Sequence, residues 1–164
     1  MEIKLTKGKV AIVDEIDADL ARHNWRCNSK GYAVRWRDRG KLELLHRIIL
    51  ARILERELRS GEYVDHINGD KTDNRRENLR LATNTQNNAN VGKRKGTYSS
   101  EYKGVSWYKP TKKWRARIVV NYKTIHLGLF PDEMDAASAY DEAAMEYFGD
   151  FANLNFPIEE EVCV

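Results

Sequence analysis

The stretch Val64-Asp65-His66-Ile67-Asn68-Gly69-Asp70, followed by Asn78-Leu79-Arg80 and then by Asn87, decides how this 164-residue chain is read. Tyr63 to Ile67 has the pattern of a short strand, and Asn68-Gly69-Asp70 supplies turn residues. Asp73 to Asn78 reads as a polar loop and Leu79 to Ala82 as a second strand. Thr83-Asn84-Thr85-Gln86 has the Ser/Thr-x-x-Glu/Gln form of a capping box, so a helix is expected to start there and to carry Asn87 in its first turns. The predicted unit is strand, loop, strand, helix.

Its polar side chains suit one kind of chemistry. Breaking a phosphodiester with water needs a base, a cation to offset charge in the transition state, and stabilisation of the leaving alkoxide. His66 meets the first need, because a neutral imidazole titrates close to working pH, at about 6.5 when unperturbed. Asp65 and Asn87 offer hard oxygen donors that suit Mg²⁺ or Mn²⁺ better than zinc. Neighbours on a regular strand point to opposite faces, so Asp65 and His66 are expected to flank a bound phosphate from two sides. Asn78, on the facing loop, is better placed to hydrogen-bond backbone or the imidazole than to bind metal. The loop is not a calcium loop, since its third position is Ile67 and the closing glutamate is missing.

Upstream, residues 9 to 13 and 32 to 37 read as strands, and Gly40 marks a turn before Leu42 to Leu45. Leu45, Ile48, Ile49, Ile53 and Leu54 then recur at helical spacing, predicting a helix over 45 to 58 that ends at Ser60-Gly61. Arg35, Arg37 and Arg39 alternate along the hairpin, either as phosphate contacts or as a solvated strand face. His46 is either an accessory group of the site or a packed residue capping its helix. Downstream, Asn90 to Ser100 has linker composition, and Lys93-Arg94-Lys95 gives it the charge to lie along a nucleic-acid backbone. Beyond it, Lys103 to Tyr108, Trp114 to Val120 and Tyr122 to Leu129 read as three strands. Pro131-Asp132-Glu133 opens an alanine-rich helix to about Phe148, just before Gly149.

Charge is unevenly spread. The net is +5 over residues 1–60, +2 over 61–100, +6 over 101–130 and −10 over 131–164. A basic first four-fifths suits a polyanion, from which the acidic end would face away. Cys27 and Cys163 lie at opposite ends without Cys-x-x-Cys spacing, so neither a disulfide framework nor a zinc knuckle is indicated. No window approaches the roughly 18 apolar residues of a membrane span, and the N-terminus lacks an apolar signal core. A cytoplasmic, intracellular protein without a membrane partner is expected. His23 and His126 have no neighbouring ligand set.

Asp65-His66, Asn78 twelve positions after the histidine and Asn87 nine further on resemble the HNH endonucleases, in particular the homing-endonuclease branch that ends its motif in asparagine. Leu45-His46-Arg47 and Asn78-Leu79-Arg80 resemble that branch too, and the likeness covers roughly residues 30 to 92. It implies a ββα-metal fold, with His66 as general base and Asp65 and Asn87 as metal ligands. Tyr102-Lys103-Gly104-Val105, Trp114-x-Ala116-x-Ile118, Leu127-Gly128-x-Phe130, the alanine-rich helix and Leu154-Asn155-Phe156-Pro157 resemble the Apetala-type (ethylene-response-factor) DNA-binding domain over about 102 to 157. That likeness implies a three-stranded sheet laid in the major groove of double-stranded DNA. Alternation puts Trp114, Ala116 and Ile118 on the helix side and Arg115, Arg117 and Val119 towards DNA, and the family pattern adds Lys103, Ser106, Tyr108, Thr124 and His126 as DNA-binding residues. Ser106, Tyr108, Thr124 and His126 stand where plant members carry arginines and a tryptophan. Arg115 and Arg117 either read guanines or hold phosphates.

The expected class is α+β: a nuclease domain with an N-terminal hairpin over 1–92, a basic linker at 93–100, a three-stranded antiparallel sheet on one helix over 101–157 and an acidic tail at 158–164. The expected function is Mg²⁺- or Mn²⁺-dependent cleavage of DNA by a phage- or intron-borne homing enzyme. A DNA-binding regulator with a relict nuclease fold is the alternative from a different class, and an RNA-directed protein fits a wide-groove sheet less well. The oligomeric state is left open.

Overall fold

The computed structural model describes residues 1–37, 40–93 and 95–157. The expectations resting on Arg39, Arg94, Cys163 and the acidic tail therefore lie outside the described residues. Helices and antiparallel sheets mix in an α+β arrangement, and the chain divides into two compact units, Met1–Asn84 and Thr85–Val164.

In the first unit, β1 (Glu2–Lys4) pairs antiparallel with β2 (Val10–Ile12), and a 3₁₀ segment, Glu15–Arg22, follows. β3 (Arg26–Cys27), β4 (Ala33–Arg37) and β5 (Lys41–Leu44) form a three-stranded sheet that leads into helix α1 (Leu45–Ile53). Ile3, Leu5, Ala11, Val13, Leu20, Trp25, Ala33, Leu45, Ile49 and Leu50 share one core with Val64 and Leu79, so the N-terminal elements and the motif-bearing strands fold on the same apolar cluster. Helix α1 stops short of the expected residue 58. Glu55 takes a left-handed φ of 51°, and the Arg56 amide closes back on the Ala51 carbonyl at 3.1 Å, a Schellman-type end made without glycine. The Arg56 guanidinium then clasps both carboxylate oxygens of Glu62 at 2.8 and 2.9 Å.

The motif strands are β6 (Tyr63–His66) and β7 (Leu79–Ala82), paired antiparallel with Asp65 opposite Arg80 and His66 opposite Leu79. The loop between them is braced by the N-terminal elements. Ile12 on β2 bonds to Thr72 and Asn74 through backbone at 2.8 and 2.7 Å, and the Asp14 carboxylate accepts the Arg76 amide. Asp17, fully buried, sits between Arg52 and Arg76 at 2.9 and 2.8 Å, which compensates a charge that would otherwise be costly to desolvate.

Helix α2 (Asn84–Asn90) begins directly after Thr83, as a capping box requires. The division between units falls inside it rather than near residue 92, and two hydrogen bonds tie its later residues to the second unit. Lys103 Nζ donates to the Ala89 carbonyl, and the Thr85 hydroxyl donates to Asn121 Oδ1. The second unit then presents β8 (Val105–Tyr108), β9 (Lys113–Val120) and β10 (Lys123–Phe130) in the order β10-β9-β8, with a bulge between His126 and Gly128. Helix α3 (Glu133–Phe148) is capped by Asp132, whose carboxylate accepts from the amides of Met134 and Asp135. Its buried Ala136, Ala137, Tyr140, Ala143 and Ala144 let it lie close against Val105, Ala116 and Ile118 of the sheet.

One feature of this unit differs from the sequence expectation. The stretch read as linker is partly tied down: Ser100 Oγ accepts the Tyr102 amide, Ser99 Oγ accepts the Trp107 amide, and Lys93 donates to the Tyr102 carbonyl. Serine hydroxyls in linker-like composition here serve as backbone caps. The Leu154–Phe156 stretch, expected inside this module, is held to α3. Asp141 accepts the amides of Asn155 and Phe156, both at 2.8 Å, and pins Leu154–Phe156 to the helix.

Candidate nuclease site and nucleic-acid face

Asp65 and His66 stand on β6 and are nearly covered, at 3% and 5% exposure. Asp65 Oδ2 accepts Arg80 Nε at 2.8 Å across the strand pair, so Leu79-Arg80 of the downstream motif supplies the partner of the carboxylate. His66 looks towards a different set. Its ring meets His46 edge-on at 5.1 Å and Tyr32 at 6.1 Å, while Tyr32 and His46 are 4.9 Å apart. Lys71 places its ammonium 4.8 Å from the Tyr32 ring.

The orientation of the imidazole follows from a residue that the sequence reading missed. Asn74, 1% exposed, donates its Nδ2 to the Thr72 carbonyl, which turns its Oδ1 to His66 Nε2 at 3.4 Å. A carboxamide oxygen only accepts, so this contact is a hydrogen bond in the tautomer that carries its hydrogen on Nε2, which leaves Nδ1 as the basic nitrogen. Burial lowers the His66 pKa, opposed by the Asn74 contact and by the charges of Asp65, Asp70 and Asp73. His46 is pushed down to about 3 by burial, with the neighbouring His66 and Arg47 adding to it, and its Nδ1 is buried without a hydrogen-bond partner. Both rings are therefore neutral at pH 7. Asn74 is one of three carboxamides in the stretch from Asn68 to Asn78, and the Ile12 backbone contacts, far off in sequence, single it out.

Asn78 bonds neither the imidazole nor a neighbouring carboxylate. Its Oδ1 accepts the Asn68 amide at 2.9 Å and its Nδ2 donates to the Asp73 carbonyl at 2.7 Å, so one side chain clasps both ends of the loop. The Asp73 carboxylate closes the same loop by accepting from Asn68 Nδ2 and from the Arg75 guanidinium. Asn87 is half-buried on α2 and belongs to the second unit. Among the described residues no three His, Cys, Asp or Glu side chains gather in a metal-binding set. The residues expected to hold a cation carry oxygen donors only, a buried carboxylate in the first unit with Arg80 on one oxygen and a carboxamide in the second, and oxygen donors suit a hard divalent cation.

In the second unit the register sorts the predicted DNA contacts. Ser106 lies opposite Arg115, His126 opposite Arg117 and Thr124 opposite Val119, so these residues share the sheet face turned away from α3. Tyr108, two residues from Ser106, joins them. Arg117, Val119, Thr124 and His126 are exposed. Arg115 is half-buried, stacked 5.3 Å from the Tyr108 ring, with one guanidinium nitrogen donating to Ser106 Oγ at 3.3 Å. Lys103 is placed differently. Its ammonium donates to the Ala89 carbonyl and lies 5.9 Å from the Tyr140 ring on the helix side, where burial lowers its pKa to about 8. Lys93 turns towards the Tyr102 carbonyl and the Tyr98 ring, whereas Lys95 is exposed. His23 is exposed and stands outside the His46–His66 group. No helix among the described residues is long and apolar enough to cross a membrane.

Comparison with known proteins follows this division of labour. The profile of the HNH endonuclease family matches residues 43–89, and that of the AP2 domain matches residues 100–150. An uncharacterized HNH endonuclease of Acanthamoeba polyphaga mimivirus is 39% identical over 136 residues, which cover 83% of this chain and 68% of the viral protein. An AP2/ERF and B3 domain-containing protein of Oryza sativa subsp. japonica is 49% identical over 59 residues, 36% of this chain and 16% of its own length. An AP2-like ethylene-responsive transcription factor of Arabidopsis thaliana is 42% identical over 60 residues, 37% of this chain and 12% of its own. The plant likeness is thus confined to the sheet module, while the viral likeness runs through both units. On these grounds the chain belongs to the HNH endonuclease family and carries an AP2 domain in its C-terminal part.

Proposed function

We propose that this protein hydrolyses phosphodiesters of double-stranded DNA in a Mg²⁺- or Mn²⁺-dependent reaction, with His66 as general base. The observation that carries the proposal is the His66–Asn74 contact, which suits a neutral imidazole with its hydrogen on Nε2 and its basic Nδ1 on the other edge of the ring. His66 would take the proton of the attacking water, Asn74 would hold the ring in that tautomer, and Arg80 would hold Asp65. Asp65 and Asn87 would ligate the cation, which when bound offsets the charge gathering on the phosphate and its leaving oxygen. With His66 5% exposed, a phosphate reaches it only as neighbouring side chains give way on binding. The outer face of the AP2 sheet, with Arg115, Arg117, Ser106, Tyr108, Thr124 and His126, would seat the duplex in its major groove, and Lys95 lies free to meet phosphates. The viral relative is in keeping with a mobile-element or phage origin.

A second reading, a DNA-binding regulator on a relict nuclease fold, is favoured by the near-complete burial of Asp65 and His66 and by the Asp65–Arg80 ion pair. Supercoiled plasmid incubated with Mg²⁺ separates the two. The nuclease reading expects nicking that chelator stops and that His66→Ala abolishes while a gel shift of the duplex persists. Cutting by His66→Ala at the native rate would remove the mechanism. Binding without cutting by the native chain in either metal would install the regulator.

A further inference from the structure

We propose that the Trp36–Leu42 pair of β4 and β5 is a second DNA-contacting element, an apolar wedge that shares one groove with cations of the adjacent register pair and is used against the minor groove of the bound duplex. Trp36 is 61% exposed and Leu42, its direct register partner, 43% exposed. Directly opposite residues hold their Cβ atoms roughly 5 Å apart, so the two side chains act as one projecting apolar knob. Large apolar groups at the end of a hairpin cost free energy in water unless something covers them.

The next register pair is Arg37 opposite Lys41. Like charges facing each other across a strand pair repel, and an anion between or beside them relieves that repulsion. Arg37 has a single 3.3 Å contact to Glu43, which is already engaged by Arg35 at 2.8 Å, and Lys41 makes no ion pair among the described residues. Wedge and cations line one open groove of about 1140 Å³ between the hairpin and α1, and Arg47, bonded only to the Glu62 carbonyl, adds a third cation there. An uncovered indole and leucine flanked by under-compensated cations match a polyanion with flat apolar faces inside it. Proteins that enter the minor groove use this combination, pressing apolar side chains at a base step while arginine and lysine take the neighbouring phosphates. The assignment rests on the reading of duplex DNA as substrate, and it gives the nuclease unit a hold on DNA of its own.

The test is a binding titration of the full chain with a labelled random-sequence duplex in EDTA, where no cutting occurs. Trp36→Ala should weaken binding roughly tenfold, within the range for loss of an aromatic contact to bases. Lys41→Gln should lower the slope of log K against log salt by roughly 0.9, one phosphate contact. Tryptophan emission should be quenched by duplex in the native chain and less so in Trp36→Phe. Because Trp36 is exposed, its variants should melt with the native protein, which separates a lost contact from a lost fold. Unchanged affinity and unchanged quenching would overturn the proposal. Light scattering that finds a dimer broken by Trp36→Ala, with DNA affinity unmoved, would overturn it in favour of a contact between copies. A native chain that binds through Trp36 but never cuts plasmid would instead refute the nuclease mechanism and leave the wedge standing.

Discussion

Replacing Asn78 is the sharpest probe of how the finger is held. Asn78 is 5% exposed, and its carboxamide accepts the Asn68 amide at 2.9 Å while donating to the Asp73 carbonyl at 2.7 Å. Asn78→Ala removes both hydrogen bonds and leaves the two backbone groups without their partner. A typical bond contributes about 1 kcal/mol net, and a buried group stranded by its loss costs about 1–3 kcal/mol. The expected destabilisation is about 3 kcal/mol. For a unit of this size that lowers Tm by roughly 12–24 °C, at about 4–8 °C per kcal/mol. Asn78→Asp keeps the acceptor for Asn68 but sets a carboxylate against the Asp73 carbonyl, so it should not rescue. Calorimetric melting of the full chain measures this, with the transition of the C-terminal unit as internal reference. Plasmid nicking well below the lowered Tm should still fall, because the loop that carries Asn74 is the loop being loosened. If both variants melt within about 0.5 kcal/mol of the native protein, the clasp is not what holds the finger.

Two further perturbations report on separate parts of the molecule. Gly104 has φ +79°, and a Cβ there would run into the Tyr140 ring and stand 2.8 Å from the Arg117 carbonyl oxygen, so Gly104→Ala should unfold the sheet module while the N-terminal transition survives. Asp19 is held at about 2 by Arg52, and Asp17 is held below its ordinary value although burial pushes it up, because Arg76 and Arg52 outweigh that burial. A carboxyl with a depressed folded pKa contributes fully above its unfolded value near 4, and the contribution is withdrawn as pH falls towards about 2. Urea midpoints should therefore drop between pH 5 and pH 2, and Arg52→Ala should make that drop shallower. An equal slope in the variant would disprove the coupling.

The strands of the finger, the three-stranded sheet and the alanine-rich helix could all be read from the chain, because alternation, turn residues and caps agree there. What escaped depended on partners distant in sequence. Nothing local in the acidic run from Asp14 to Asp19 gives its role, yet Asp14 and Asp17 hold Arg76 and so brace the loop between β6 and β7. Asn74 was one carboxamide among several until β2 placed its backbone. Helix α1 was drawn too long because nothing local announces a left-handed Glu55. Lys103 is expected among the DNA-binding residues, since a lysine before a glycine in a basic module gives no sign that its ammonium turns inward to a carbonyl and a tyrosine ring. The break between units was set by glycine and lysine composition near residue 92, whereas packing assigns α2 to the downstream unit.

Arg115 is parked before any nucleic acid arrives, its plane against Tyr108 and one nitrogen on Ser106. A guanidinium already fixed in one rotamer forfeits little freedom on docking, so under the proposed seating of duplex on this sheet it would discriminate between partners more sharply than a swinging one. Ser106 and Tyr108 thereby act as a jig for the arginine. If Arg115 contacts DNA as proposed, drift at those two positions would retune target preference without altering the arginine itself.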